Sequence, residues 1–313
     1  MDFQSFSAQP KGELHVHLEG SYTPERALEL AAEKDHPWSG LSVDALKARL
    51  KTPNFPAFIE QFMLGYRLLR TPAHFQAVTE DLCASLEQMG VVYAEVLYSP
   101  GVYVQRMGRR IEDIHGGIEA GLAHFPKLKT RFILDTVLNL GPEFMQRTLE
   151  LTLADRREFL GGFSVGGGDA NLDMRDFLFL FHQASEAGLF CVAHAGEVDG
   201  PDNIRVLIEE TDVKRIAHGC NAVKDVDLLR LMRDRGIIVD VSLTSNICTG
   251  VIPDLDHHPL PVFLEHQVPV TLNTDDPFYF GTDLWREYVK AHERLHIPWS
   301  ELRAMMDRSL LSA

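Results

Sequence analysis

Short apolar runs alternate with amphipathic stretches of helical period along most of the chain. Runs rich in β-branched and aromatic residues indicate buried strands. We predict eight strands, at residues 13–17, 91–98, 131–138, 162–165, 189–194, 215–218, 237–243 and 269–273. Helix-like segments between them include residues 142–159, 174–187, 226–235 and 260–266. Because alternation of strand and helix is typical of parallel pairing, eight such units predict an α/β fold, the (β/α)8 TIM barrel.

One long stretch interrupts this alternation. Residues 22–90, between the first two predicted strands, have the pattern of several helices and contain Phe55, Phe58, Phe62 and Tyr66. An insertion after the first strand lies on the C-terminal face of such a barrel, where lids are found. We expect either a lid or an ordinary helical cover, and we expect Phe58 and Phe62 to contact a substrate. Residues 1–313 are otherwise predicted to form a single domain.

Charge narrows the classes of partner. The 313 residues contain 30 Lys and Arg against 45 Asp and Glu, which gives a net charge of −15. This excess argues against nucleic acid and against an anionic membrane surface, since both require basic patches. No apolar run approaches the roughly 20 residues of a membrane span, and residues 1–15 do not have the pattern of a signal peptide. Four cysteines without a C-x-x-C motif favour free thiols, so we expect a cytoplasmic protein that acts on a small molecule.

Polar side chains follow several of the predicted strands at the point where each strand ends. His15 and His17 are two residues apart and therefore point to the same face of the first strand. His194 and His218 end two later strands, and Asp275 follows the last one. Because the C-terminal ends of parallel strands meet on one face of a barrel, these side chains are expected to lie together. Imidazole and carboxylate ligands suit zinc or a similar divalent ion.

Chemical roles can be assigned to this set. His15, His17, His194 and Asp275 supply the donors for one metal ion, which would lower the pKa of a water molecule to about 7. Glu197 lies three residues beyond His194 and is suited to give a proton to the substrate. His218 is either a second base or an electrostatic partner of the nucleophile. Asp276, whose side chain would point elsewhere on a continuing strand, is expected to hold the substrate.

The motifs HVHLEG, GGD, HAGE, HG, TSNICTG and NTDDP occur in the order found in the adenosine deaminase family of metal-dependent amidohydrolases, and the resemblance runs from residue 11 to about 290. It implies one zinc ion per chain, held by His15, His17, His194 and Asp275. Glu197 would protonate N1 of a purine, His218 would orient and activate the water, Asp276 would accept a hydrogen bond at N7, and the amide of Gly168 would meet N3. The implied reaction is attack of hydroxide on C6 of a 6-aminopurine with release of ammonia.

The resemblance leaves the substrate open. Glu19 stands where relatives acting on adenosine usually have the aspartate that helps to hold the ribose, and Gly168-Asp169-Ala170 lacks the usual Glu. Thr244-Ser245-Asn246 and Gly168-Asp169 resemble instead the relatives that act on nucleosides. We expect adenosine or deoxyadenosine, with Glu19 and His17 among the substrate contacts. The alternatives are a 5′-modified adenosine, such as aminodeoxyfutalosine of menaquinone synthesis, and free adenine.

Other functions fit the sequence less well. A hydrolase of amides or phosphoesters with two metal ions often uses a lysine on the fourth strand, and residues 160–165 contain none. A binding protein without activity would be expected to have lost Glu197 or a ligand. His257-His258-Pro259 precedes a predicted helix rather than ending a strand, so we expect a surface turn there and not a second metal site.

Overall fold

Eight parallel strands follow one another in chain order around the centre of the molecule. The structure, a computed structural model, describes residues 1–33, 35–168 and 171–311. The strands pair in the order β1 to β8, so the predicted (β/α)8 barrel is confirmed. Their bounds are β1 Lys11–His17, β2 Val91–Tyr98, β3 Lys129–Val137, β4 Leu160–Gly166, β5 Phe190–Ala195, β6 Arg215–His218, β7 Ile238–Val241 and β8 Val270–Leu272.

The barrel closes between β1 and the segment that follows β8. The backbone N–H of His17 donates to the carbonyl of Asp275 at 2.8 Å, and the N–H of Asp275 donates to the carbonyl of His15 at 3.0 Å. On the N-terminal side of these two bonds, the N–H of Leu14 donates to Asn273 Oδ1 at 2.8 Å. The seam of the barrel therefore runs through three of the predicted metal ligands.

Helices connect the strands and surround them. None within the described ranges is long and apolar enough to cross a membrane. Their bounds are α1 Phe3–Ser7, α2 Pro24–Ala32, α3 Val43–Leu50, α4 Phe55–Tyr66, α5 Pro72–Gln88, α6 Ile111–Leu122, α7 Pro142–Ala154, α8 Leu178–Glu186, α9 Pro201–Glu210, α10 Val226–Arg235, α11 Leu243–Cys248, α12 Leu260–Glu265, α13 Pro277–Phe280, α14 Leu284–Glu293 and α15 Trp299–Leu310.

Most predicted bounds differ from the observed ones by one or more residues, and two of these differences have a clear local cause. The helix predicted for residues 142–159 stops at Ala154, because Asp155 leaves helical geometry and its carboxylate binds Arg157 in the turn before β4. The strand predicted for residues 237–243 stops at Val241, because Leu243 already begins α11. This second difference matters for the site, since it turns Ser245 and Asn246 into helical residues at the mouth of the barrel.

The helices of residues 22–90 cover that mouth. Helix α4 approaches the segment after β8 so closely that a Cβ on Gly65 would lie 1.9 Å from the hydroxyl of Tyr279. The hydroxyl of Tyr22 donates to the carbonyl of Gly65 at 3.1 Å, and the rings of Phe58 and Tyr279 meet edge to face with centroids 5.7 Å apart. The insertion thus contributes aromatic side chains to the C-terminal face of the barrel.

The opposite end of the barrel interior is filled by a buried ion-pair network. The guanidinium of Arg215 binds the carboxylates of Glu95 and Asp240, the latter at 2.9 Å. Tyr93 and Thr271 donate hydrogen bonds of 2.8 Å to the same two carboxylates. Because each of these charges is paired and hydrogen-bonded, the network is compatible with burial. The polar groups at the mouth are a separate set, described next.

Candidate functional site

Four side chains from strand ends form a buried cluster. His15 and His17 lie on the same face of β1, His194 lies near the end of β5, and Asp275 follows β8. One nitrogen or oxygen atom from each of the four lies within 4.8 Å of the others. The structure therefore brings together the set that the strand-end pattern predicted.

Atoms that carry lone pairs approach one another closely in this cluster. His15 Nε2 and His17 Nε2 are 3.4 Å apart, and Asp275 Oδ1 lies 3.2 Å from the first and 3.3 Å from the second. Such an arrangement requires a proton or a cation between the acceptors. Three imidazoles and one carboxylate are the donor types that zinc binds.

Neighbouring groups fix the orientation of the ligands. His194 donates from Nδ1 to the carbonyl of Val165 at 2.9 Å, which leaves its Nε2 free to face the cluster. Ser245 donates from its hydroxyl to Asp275 Oδ2 at 2.6 Å, which leaves Oδ1 facing the two histidines of β1. Hydrogen bonds of this kind to the outer atoms of ligands are a regular feature of metal sites.

The charge balance also fits a cation. Burial alone would raise the pKa of Asp275, but His15, His17 and His218 hold it well below its usual range. Burial lowers the pKa of His15 to about 4. Burial acts in the same direction on His17, but Asp276 and Asp275 raise the pKa of this imidazole to about 10. A divalent ion held by the four ligands would compensate the negative charge of Asp275.

Glu197 and His218 face each other beside the cluster. His218 Nε2 lies 3.9 Å from Glu197 Oε1 and 3.9 Å from Asp275 Oδ2. Burial, together with the carboxylates of Asp275 and Asp199, raises the pKa of Glu197 to about 8. A raised pKa suits Glu197 to give a proton to a substrate near neutral pH.

The backbone is strained at two of these residues. His218 and Asp275 have φ angles of 62° and 64°, in the left-handed region that residues other than glycine rarely adopt. Strained residues of this kind occur preferentially at active sites. Here the strain turns each side chain from the end of its strand toward the centre of the barrel mouth.

Asp276 is buried beside the metal ligands and packs against Gly20. Burial and the adjacent Asp275 raise the pKa of Asp276 well above its usual range. Its Oδ1 has no hydrogen-bond partner among the described residues. A Cβ on Gly20 would lie only 2.0 Å from that oxygen, so the glycine makes room for it. A protonated Asp276 would donate a hydrogen bond to an acceptor such as N7, whereas the resemblance implied that it accepts one.

A cavity of about 810 Å³ opens above these groups. The side chains of Phe58 and Phe62 from α4 form part of its wall, with ring centroids 5.5 Å apart. Its lining is mainly apolar and also includes Arg106. The residues that line it include His17, Phe55, Ile59, Met63, Val137, Asn139, Leu140, Gly168, His194, Glu197, His218, Asp275 and Asp276.

Two predicted substrate contacts are placed differently from the expectation. Gly168 lines the cavity, but its N–H donates to Asn139 Oδ1 at 2.7 Å, so contact with N3 requires Asn139 to be displaced. Glu19 is buried outside the cavity lining, where its Oε1 accepts a hydrogen bond of 3.0 Å from the N–H of Ser99. Asp169 and Ala170, the rest of that motif, lie outside the described residues.

The structure adds site residues that the sequence did not reveal. Asp135 of β3 lies 3.9 Å from His194 Nδ1 and lines the cavity. A carboxylate inside the apolar run RFILDTVL was the available signal for it. His258, expected in a surface turn, is instead buried, whereas its neighbour His257 is exposed. The expectation is wrong for His258 because its ring is enclosed next to α11, where it contacts Asn246.

Known proteins resemble this chain over nearly its whole length. The family model described as adenosine deaminase matches residues 10–313. An adenine deaminase of Sinorhizobium medicae is 30% identical over 307 residues, covering 97% of this chain and 93% of the relative. An aminodeoxyfutalosine deaminase of Streptomyces coelicolor is 34% identical over 296 residues, covering 93% of this chain and 76% of the relative. The crystal structure of an adenine deaminase from Arthrobacter aurescens superposes with a TM-score of 0.91 at 25% identity. The match covers 98% of this chain and 94% of that structure's chain.

The match spans nearly the whole chain and includes the residues that form the buried cluster. The relatives are deaminases, which are hydrolases that break a C–N bond of a cyclic amidine. The chain therefore belongs to the adenosine deaminase family.

Proposed function

We propose that this enzyme removes the 6-amino group of a purine by hydrolysis, with zinc held by His15, His17, His194 and Asp275. The observation that carries the proposal is the position of two buried carboxyls of raised pKa, Glu197 and Asp276, on the wall of one cavity beside a four-ligand cluster. A purine ring offers acceptors at N1 and N7, and two carboxylic acids are suited to donate to them. A binding protein would not require an acid with a raised pKa.

Each residue of the site has its own role in the proposed reaction. The metal ion would lower the pKa of a water molecule and so supply the nucleophile at neutral pH. Glu197 gives its proton to N1 as the water oxygen adds to C6, which converts the C6–N1 double bond to a single bond. The proton still carried by that oxygen then passes to the amino nitrogen, and ammonia leaves as C6 becomes a carbonyl carbon. The other proton of the water is released when the nucleophile forms, and Glu197 takes up a proton again after ammonia has left, so each turnover consumes one water molecule. Asp276 holds N7, while Phe58 and Phe62 exclude water from the face of the ring.

The substrate is proposed to be an adenosine with an enlarged 5′ end, of the aminodeoxyfutalosine kind. A cavity of about 810 Å³ is much larger than a bare purine requires and falls within the range of pockets for extended ligands. Its mainly apolar lining supports an apolar substituent, and Arg106 supports an anionic one. Relatives that are named aminodeoxyfutalosine deaminase agree with this choice better than with adenosine or deoxyadenosine.

Free adenine is the second candidate. Relatives and a solved structure that are named adenine deaminase support it. The absence of Glu19 from the cavity lining also supports it, since this position holds the ribose in relatives that act on adenosine.

An ammonia-release assay with the zinc-loaded enzyme tests both candidates. Adenine, adenosine and aminodeoxyfutalosine are compared at equal concentration by kcat/KM, with Glu197→Gln as the inactive control. We expect the highest kcat/KM for aminodeoxyfutalosine. Preference for adenine would replace the first substrate by the second, and no ammonia from any 6-aminopurine would overturn the proposed reaction.

A further inference from the structure

A backbone amide fixes the protonation of His258. The N–H of Leu260, at the start of α12, donates to His258 Nδ1 at 3.1 Å. Since a backbone N–H can only donate, this ring nitrogen must be an acceptor. Burial lowers the pKa of His258 to about 3, so its ring is neutral. The single ring proton of His258 therefore lies on Nε2.

This proton in turn fixes the amide of Asn246. His258 Nε2 lies 3.2 Å from Asn246 Oδ1, so the ring N–H donates to the carbonyl oxygen. The opposite end of the fully buried amide, Nδ2, lies 3.0 Å from His218 Nδ1. Rotating the amide by half a turn would place its NH₂ group against the N–H of His258 and is therefore excluded.

The same reasoning then applies to His218. An amide nitrogen can only donate, so His218 Nδ1 accepts the hydrogen bond of Asn246. Because Nδ1 is an acceptor and carries no proton, the ring proton of His218 lies on Nε2, the atom that faces Glu197 and Asp275 at 3.9 Å. The chain of donors begins at the amide of Leu260 and ends at the reacting groups.

We infer that Asn246 and His258 are positioning residues that hold His218 with its proton on Nε2, so that His218 acts on the nucleophile as a hydrogen-bond donor. Chemistry allowed two roles for His218, a base or an electrostatic partner of the nucleophile. With its proton on Nε2, His218 in the resting enzyme is in the state of an electrostatic partner. An N–H aimed at the attacking oxygen stabilises the negative charge that this oxygen carries, and it needs no proton transfer to His218. The inference rests on the proposed deamination only for this last step, since the protonation state exists without turnover.

Nuclear magnetic resonance of zinc-loaded enzyme containing ¹⁵N-labelled histidine reads the protonation directly. Two-bond couplings from the ring carbon-bound protons distinguish a protonated from an unprotonated nitrogen. The signals of His218 are assigned by their loss in His218→Gln. We expect an unprotonated Nδ1 and a protonated Nε2, and the reverse pattern would overturn the inference whether or not the enzyme proves to be a deaminase.

Variants test whether Asn246 and His258 cause the ring proton of His218 to lie on Nε2. Asn246→Asp presents acceptors to both rings, so His218 should move its proton to Nδ1. Removal of one donor to the nucleophile lowers kcat by about 10²-fold in comparable sites, and we expect that loss with little change in KM. His258→Ala frees the amide to rotate and should give a mixed pattern for His218, whereas His257→Ala, at an exposed neighbour, should leave both spectrum and kcat unchanged. If Asn246→Asp and His258→Ala both fold and both keep the wild-type His218 spectrum, the proposed positioning role of Asn246 and His258 is refuted.

Discussion

The backbone N–H of His17 donates to the carbonyl of Asp275 at 2.8 Å, and their side chains meet at 3.3 Å. The first contact closes the barrel and the second belongs to the ligand cluster. A site that spans the seam joins the two ends of the sheet, although its residues are more than 250 positions apart in sequence. Metal binding is therefore expected to stabilise the closed barrel as well as to supply chemistry.

Asp275→Ala should release the metal and abolish activity. The substitution removes the one anionic ligand and leaves three neutral imidazoles, which bind a divalent ion more weakly. Metal content after dialysis and the melting temperature with and without zinc are the measurements. Asp256→Ala, at an exposed carboxylate, serves as control and should retain both metal and activity. An Asp275→Ala protein that is fully metallated and active would refute the ligand assignment.

Glu197→Gln should retain the metal but lose turnover. The amide has the same shape as the protonated acid, but it has no proton to give to N1, and general acids contribute about 10² to 10⁴ in rate. Steady-state ammonia release and metal analysis of the same sample separate the two effects. Wild-type kcat in this variant would show that another group protonates the substrate.

Gly20→Ala should weaken substrate binding without loss of the metal. A Cβ at this position would lie 2.0 Å from Asp276 Oδ1 and 2.7 Å from Asp276 Cα, so the carboxyl must move. Displacement of a binding group by about 1 Å can lower the rate on the order of 10²-fold, so we expect a loss of that size in kcat/KM. Gly116→Ala in α6 is the matched control, because its Cβ would meet nothing within 4 Å. Equal kinetics for the two variants would contradict a role of Asp276 in holding the substrate.

Glu13 should make stability depend on pH. Burial raises the pKa of Glu13 to about 7, while hydrogen bonds from Thr274 act in the other direction. The folded protein therefore binds a proton that the unfolded chain has released above about pH 4.5, and this contribution to stability is lost as pH rises through 7. Glu13→Gln keeps an acceptor for Thr274 without the charge.

We expect Glu13→Gln to unfold like the wild type at pH 5 and to be more stable at pH 8, by about 3 kcal/mol at most. Denaturant unfolding of both proteins at the two pH values measures the difference. A stability gap that is the same at both pH values would show that Glu13 does not titrate as its burial implies.

The sequence revealed those parts of the site that local rules govern. His15 and His17 alternate on a strand, and His194, His218 and Asp275 stand where strands end, so the parallel barrel alone brings them together. Predicted bounds were reproduced for β2, β6 and α10, where the change from apolar run to turn is sharp. That residues 1–313 form one domain and that residues 22–90 act as a lid remain predictions.

The rest of the site depends on contacts that sequence spacing does not encode. The side chain of Asn139 accepts a hydrogen bond from the backbone N–H of Gly168 because the segments that follow β3 and β4 approach each other. His258 was assigned to the surface because a turn before a helix is usually exposed, and only the packing of α11 encloses it. The raised pKa of Asp276 likewise follows from its burial beside Asp275, and the adjacency of the two residues in sequence does not predict that burial.

The most direct test of the account is a zinc titration of metal-stripped enzyme with ammonia release from aminodeoxyfutalosine and adenine followed at each step. The four-ligand cluster predicts no turnover by the stripped protein and full activity at one zinc ion per chain. Full activity of the stripped protein, or stoichiometric zinc binding without ammonia release from any 6-aminopurine, would contradict it.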